Sequence, residues 1–166
     1  MDAVARMGRE SFARTFGEVF EHSPWVAEAA WSAGPFRDLD ALHAAMVDAV
    51  RRAGRERQLA LIHAHPELAG KPAEGAALAE DSRREQAGAG LDRLSAEEYR
   101  RFQAVNRAYR DKFGFPFILA VKGLGKERIL EAFAERLANP PDAEFERALA
   151  EIAKIARFRL AELVQA

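Results

Sequence analysis

With 166 residues the chain has room for one core of ordinary size and too few residues for two comfortable ones, so it is read as one domain over 1–166. Basic and acidic residues number 25 and 26, and the resulting net charge of −1, with no block of one sign, argues against a nucleic-acid partner. The absence of cysteine excludes a disulfide framework, a thiol nucleophile and a thiolate metal site, while 49% hydrophobic residues set the chain apart from disordered sequences.

Phe12, Phe16, Val19 and Phe20 recur at helical spacing, which predicts an opening amphipathic helix that ends near His22. Ser23-Pro24 then supplies an N-cap and a first-turn proline for a short helix carrying Trp25, Val26 and Ala30, closed by Gly34-Pro35. A third helix is expected from about Asp40, with Leu42, Met46, Val47 and Val50 inward and Gly54 as its stop. Arg51, Arg52, Arg55 and Arg57, interrupted by Glu56, form the densest basic cluster and read as a solvated helix end. Another short helix covers 59–63, and Pro66 forces His65 out of the α region to a helix end or bend.

The stretch 67–81, with Gly70, Pro72 and Gly75, reads as irregular at first and helical later. Ser82-Arg83-Arg84-Glu85 and Ser95-Ala96-Glu97-Glu98 both have capping-box spacing and each predicts a helix start. The second of these helices carries Phe102, Val105, Tyr109 and Phe113 and ends at Gly114; the aromatic spacing points to core packing. The apolar run 115–121 has no partner strand in sight and is read as a buried loop or helix start; it is also far too short to cross a membrane. Helix is expected over 127–139, Pro140-Pro141 breaks it, and Asp142 caps a final helix to about Val164. The fold class is therefore all-α, a compact single-domain helical bundle. The N-terminal residues lack an apolar signal core and Leu163-Val164-Gln165-Ala166 is not a peroxisomal address, so the default expectation is the cytoplasm.

Two places attract chemical attention. Phe145, Leu149, Ile152, Ala156, Arg159 and Leu163 are spaced by alternating steps of four and three, which sets Arg159 on the apolar face of the last helix. A guanidinium there needs an anion: a substrate carboxylate would serve, and an inner salt bridge is the plainer reading. His63-Ala64-His65-Pro66-Glu67 gathers two imidazoles and a carboxylate suited to proton transfer near neutral pH, or else to a hydrogen-bonded structural bend. The spacing of His63 and His65 does not match a helical zinc motif, although a metal-dependent hydrolase built on them stays open as an alternative. A non-catalytic helical interaction module is the other.

With these residues in view, the sequence closely resembles the 2-oxo-4-hydroxy-4-carboxy-5-ureidoimidazoline (OHCU) decarboxylase family. The resemblance runs through Phe20-Glu21-His22-Ser23-Pro24-Trp25-Val26-Ala27-Glu28, His65-Pro66-Glu67-Leu68-Ala69-Gly70, Ser82 with Glu85-Gln86 and Ala89-Gly90-Leu91. It continues through Asn106, Tyr109 and Lys112-Phe113-Gly114-Phe115-Pro116-Phe117-Ile118, and ends in Ile155-Ala156-Arg157-Phe158-Arg159-Leu160. One departure is Ala33-Gly34, ahead of Pro35-Phe36, where many relatives carry an arginine, and a second is Ala89 within Gly88-Ala89-Gly90.

What the resemblance implies is an all-helical, usually dimeric enzyme of urate breakdown that yields (S)-allantoin from a small-molecule substrate and works with no metal and no organic cofactor. It implies His65 as the catalytic acid and Glu85 as its carboxylate partner. It also implies a substrate pocket lined by Pro66, Ser82, Gln86, the backbone of Phe117, Ile118, Leu119, Ala120 and Val121, and Arg159. A paralogue acting on a related ureido or imidazoline acid is the alternative inside the family.

Overall fold

The computed structural model describes residues 1–70 and 80–165, and among them helix is the only regular secondary structure, as the sequence predicts. The expectation for 67–81 is met where it can be followed: 67–70 is an irregular turn and helix runs from Glu80, while 71–79 lie outside the described residues. The chain divides into two contact units, Met1–Ala64 with Ile152–Ala166, and His65–Glu151.

The first unit holds α1 (Asp2–Ala5), α2 (Arg9–Phe16), α3 (Trp25–Trp31), α4 (Leu39–Arg52), α5 (Arg55–Ala64) and the end of α9 (Pro141–Gln165). The opening aromatic stripe is buried as expected, but it is not one helix. α2 stops at Phe16, and Val19 and Phe20 reach the core from the turns that follow. The chain turns at Gly17, where a Cβ would lie 2.5 Å from the Ala13 carbonyl oxygen. His22 closes the turn at a φ of 46°, a conformation unusual for a side-chain-bearing residue.

Ser23 does not cap α3: Pro24 occupies the cap position, and the Ser23 hydroxyl donates to the Glu21 carbonyl at 2.8 Å. The cap of α4 is Asp38 rather than Asp40, its carboxylate accepting from the Ala41 N–H at 2.7 Å. α4 buries Leu42, Met46 and Val50, and Gly54 at φ 87° separates it from α5, which is longer than the 59–63 expected. The basic cluster is solvated, with Arg52 paired to Asp48 at 2.8 Å. The end of α9 is tied into this unit by His43, whose Nε2 donates to the Ala153 carbonyl at 2.7 Å, and by Arg157, 2.9 Å from Asp40.

The second unit holds α6 (Glu80–Gly88), α7 (Ala96–Phe113), α8 (Lys126–Leu137) and the start of α9. The box predicted at Ser95 is complete: its hydroxyl accepts from Glu98 N at 3.1 Å and Glu98 Oε1 accepts from Ser95 N at 3.0 Å. The Lys126 ammonium and this backbone donor together lower the Glu98 carboxyl to about 2. The similar spacing at Ser82 is not a cap, because α6 is already running at Glu80. α7 ends at Gly114, left-handed at φ 77°, as expected of a glycine past a helix end.

Residues 115–121 form a buried non-helical segment, so the loop reading is the one realised. Phe117 stacks on Phe133 with centroids 3.8 Å apart, and Tyr109 meets Phe117 edge-on at 5.1 Å. α9 begins at Pro141, so Asp142 lies inside the helix rather than at its cap. Its predicted apolar face needs amendment: Phe145, Ile152, Ala156 and Arg159 are buried, but Leu163 is 44% exposed near the chain end, and Glu144 and Glu151 are buried.

Candidate active site

His65 follows α5 directly, as the preceding-proline rule requires, and is buried. The turn after it is unusually well held. Gly70 N–H donates to the Glu67 carbonyl at 3.2 Å, and Ala69 sits at φ 56°, where a Cβ is disfavoured. Ala69 N–H donates to Gln86 Oε1 at 3.1 Å, and its carbonyl accepts from Gln103 Nε2 at 3.2 Å. The neighbouring Leu68 carbonyl accepts from Asn106 Nδ2 at 2.8 Å, and Arg110 pairs with the Glu67 carboxylate. His63, by contrast, is exposed on α5.

Ser82, Glu85 and Gln86 stand at positions i, i+3 and i+4 of α6 and so share a face. Ser82 and Gln86 are buried and Glu85 is half-buried. The bond from Ala69 fixes the Gln86 amide: its oxygen is engaged on the turn, which leaves its NH2 end to donate elsewhere.

Phe117, Ile118, Leu119 and Val121 are buried and Ala120 is half-buried. A buried arginine on α8 anchors this segment. Arg136 donates through Nη1 to the Ile118 carbonyl, lies 4.4 Å over the Phe117 ring, and holds Glu144 through Nε at 3.0 Å and Nη2 at 2.9 Å. Glu144 also accepts from the Tyr109 hydroxyl and, at 2.9 Å, from Asn139 Nδ2. Burial alone would raise the Glu144 carboxyl, but hydrogen bonds from Arg136, Tyr109 and Asn139 outweigh it and hold the group below the usual carboxylate range. Burial, and then the bond to Glu144, push the Tyr109 phenol well above its ordinary value. Glu151 Oε1 accepts from Ala120 N–H at 3.3 Å, a second fixed point on the segment.

In the first unit Arg159 is buried, as its place on the helix predicts. Its Nη1 donates to Glu21 Oε2 at 2.9 Å and to the Val19 carbonyl at 3.2 Å, so the inner salt bridge named as the plainer reading is present. Glu21 has no pattern that singles it out. It lies far from Arg159 in sequence, and nothing local marks an acidic residue in a turn as the buried partner of an arginine on the last helix. The same holds for Arg136, Glu144 and Glu151, whose burial no short-range spacing announces. Gln103, Asn106 and Arg110 do carry a trace, since they repeat at i, i+3 and i+7.

A family model described as OHCU decarboxylase matches residues 5–161. A protein of Haloferax volcanii named 2-oxo-4-hydroxy-4-carboxy-5-ureidoimidazoline decarboxylase is 45% identical over 162 residues, covering 98% of this chain and 94% of its own length. A bifunctional uric acid degradation protein of Bacillus subtilis is likewise 45% identical over 99% of this chain, which spans only 32% of that longer protein. Among solved structures, an (S)-allantoin synthase aligns with a TM-score of 0.79 at 31% identity over 98% of this chain and 53% of its own. An OHCU decarboxylase crystallised in the presence of (S)-allantoin aligns at 0.73 and 26% identity, over 92% of this chain and 99% of its own.

Proposed function

The chain belongs to the OHCU decarboxylase family, and from that premise we propose that it converts 2-oxo-4-hydroxy-4-carboxy-5-ureidoimidazoline to (S)-allantoin and CO2. The observation that carries the proposal is the match to a relative of that name, 45% identical over 98% of this chain and 94% of the relative's own length.

The substrate carries a carboxylate and a hydroxyl on one ring carbon beside an imine. As the carbon–carboxylate bond breaks, its electron pair joins the two ring carbons and the imine pair moves onto nitrogen, which takes a proton from solvent. The substrate is thus its own electron sink, and the protein supplies orientation, electrostatics and proton delivery. His65 accepts the hydroxyl proton as the enol becomes a carbonyl and returns a proton to the former imine carbon from one side, which fixes the handedness of the product. Glu85 holds the imidazole in one tautomer. The reading of 1–166 as one domain of this family is supported by the family match to residues 5–161.

Pro66, Ser82, Gln86, the backbone of 117–121 and Arg159 are assigned to substrate binding. The fixed Gln86 amide supports its part, because the end not engaged by Ala69 is a donor suited to a ring or ureido oxygen. Glu21 offsets much of the charge on Arg159, which supports recognition of carbonyl and ureido oxygens at least as much as of the carboxylate. A full ion pair to the departing carboxylate would stabilise the ground state and raise the barrier. The enzyme is further assigned as a homodimer of the cytoplasm; no helix among the described residues is long and apolar enough to cross a membrane.

The test is to generate the unstable substrate from urate in place and follow optical activity with and without the protein. Faster appearance of one allantoin enantiomer, unaffected by chelators, is expected. An unchanged racemic course would overturn the proposal, and activity lost on chelation and restored by a divalent metal would favour a hydrolase built on His63 and His65.

A further inference from the structure

Four side chains from two helices converge on the turn that follows His65. Gln86 comes from α6, and Gln103, Asn106 and Arg110 form one stripe of α7. They engage Glu67, the carbonyl of Leu68, and both backbone polar groups of Ala69. Ala69 is the strained member of the turn at φ 56°, a conformation unfavourable to a residue with a Cβ, and such residues persist only where their surroundings over-determine them. Ordinary turns are satisfied by their own backbone and by water. Here the N–H and C=O of the strained residue are both taken by side chains, in a partly desolvated place where each bond is worth more than at the surface.

A second observation concerns Asn106. It is 3% exposed, and its Oδ1 has no hydrogen-bond partner among the described residues. A leucine would fill that volume without bringing an unpartnered acceptor of its own, and a buried acceptor left unpaired is costly. What the asparagine provides in exchange is the Nδ2 bond to Leu68.

We infer that Gln103, Asn106 and Arg110 are positioning residues that clamp the turn 67–70 and thereby set where the His65 imidazole stands. The inference rests on the proposed reaction for its catalytic meaning but not for its geometry. A proton donor displaced by about 1 Å can lose around a hundredfold in rate, so a rigid mount for His65 has a function beyond stability.

The experiment compares wild type with Asn106→Leu and with Gln103→Ala, the second being half-buried and the milder change. Folding is checked by circular dichroism; kcat and KM are measured with substrate generated in place, and the His65 ring resonances, assigned with His65→Gln, are followed by NMR. Expected are a fall in kcat of about tenfold or more, a KM within about threefold, and shifted or broadened His65 resonances in chains that remain helical. Wild-type kcat and unmoved His65 resonances in both variants, with only a lower melting temperature, would overturn the clamp. If wild type itself proves inactive the proposed reaction fails, and the resonances alone still decide the clamp.

Discussion

Arg136 and Glu144 are nearly inaccessible, and a buried ion pair survives only if its remaining donors and acceptors are also satisfied. That condition is met by Tyr109, Asn139 and the Ile118 carbonyl, which makes the pair an anchor for the 115–121 segment. Arg136→Met removes the counter-charge and leaves a buried carboxylate, so a loss of about 3–5 kcal/mol is expected by urea denaturation at neutral pH. The pH dependence has a definite sign. Because the Glu144 carboxyl is held low in the folded chain, its contribution is present above the unfolded value of about 4.3 and is lost as pH falls through the folded one. Wild type should therefore lose stability below about pH 4.3 more steeply than Glu144→Gln; parallel curves would contradict this. At this scale the sequence reveals residues with a local signature. His65 is marked by the proline after it and Arg159 by its place among apolar positions, whereas Glu21, Arg136 and Glu144 acquire meaning only from partners brought together by folding.

Helix ends show the same division between local and distant causes. Ser95 and Gly114 are legible because a capping box and a left-handed glycine act within a few residues. Ser82 misleads because the same four-residue spacing also occurs inside a helix, and the pattern cannot tell whether the preceding turn is already helical. Val19 and Phe20 mislead for a related reason, since burial keeps a near-helical period through turns that are not helix. Two glycines make a paired prediction. Among the described residues, a methyl group added at Gly88 or at Gly114 would meet no atom within 4 Å beyond its chain neighbours and its own helix backbone, so backbone conformation decides the effect of substitution by alanine. Gly88→Ala, at the end of α6, should stabilise by about 0.5–1 kcal/mol, and Gly114→Ala, at φ 77°, should destabilise by about 1 kcal/mol. Thermal melts that move both proteins in one direction would contradict this assignment of cause.

For the molecule as a whole, the all-helical class follows from periodicity, and the family follows from motifs spread along nearly the whole chain. The homodimer has no such footing in the helix pattern, and it is tested by sedimentation equilibrium: a mass of twice 18.4 kDa is expected, and a monomer at micromolar concentration would refute it. The central claim is that stereospecific decarboxylation runs through the imidazole at position 65. The most direct test is the rate at which one allantoin enantiomer accumulates from substrate formed in place, measured for wild type and for His65→Gln at equal helicity. Acceleration by wild type and a course close to the uncatalysed background for the variant are expected; a His65→Gln protein that forms the single enantiomer at the wild-type rate would contradict the claim.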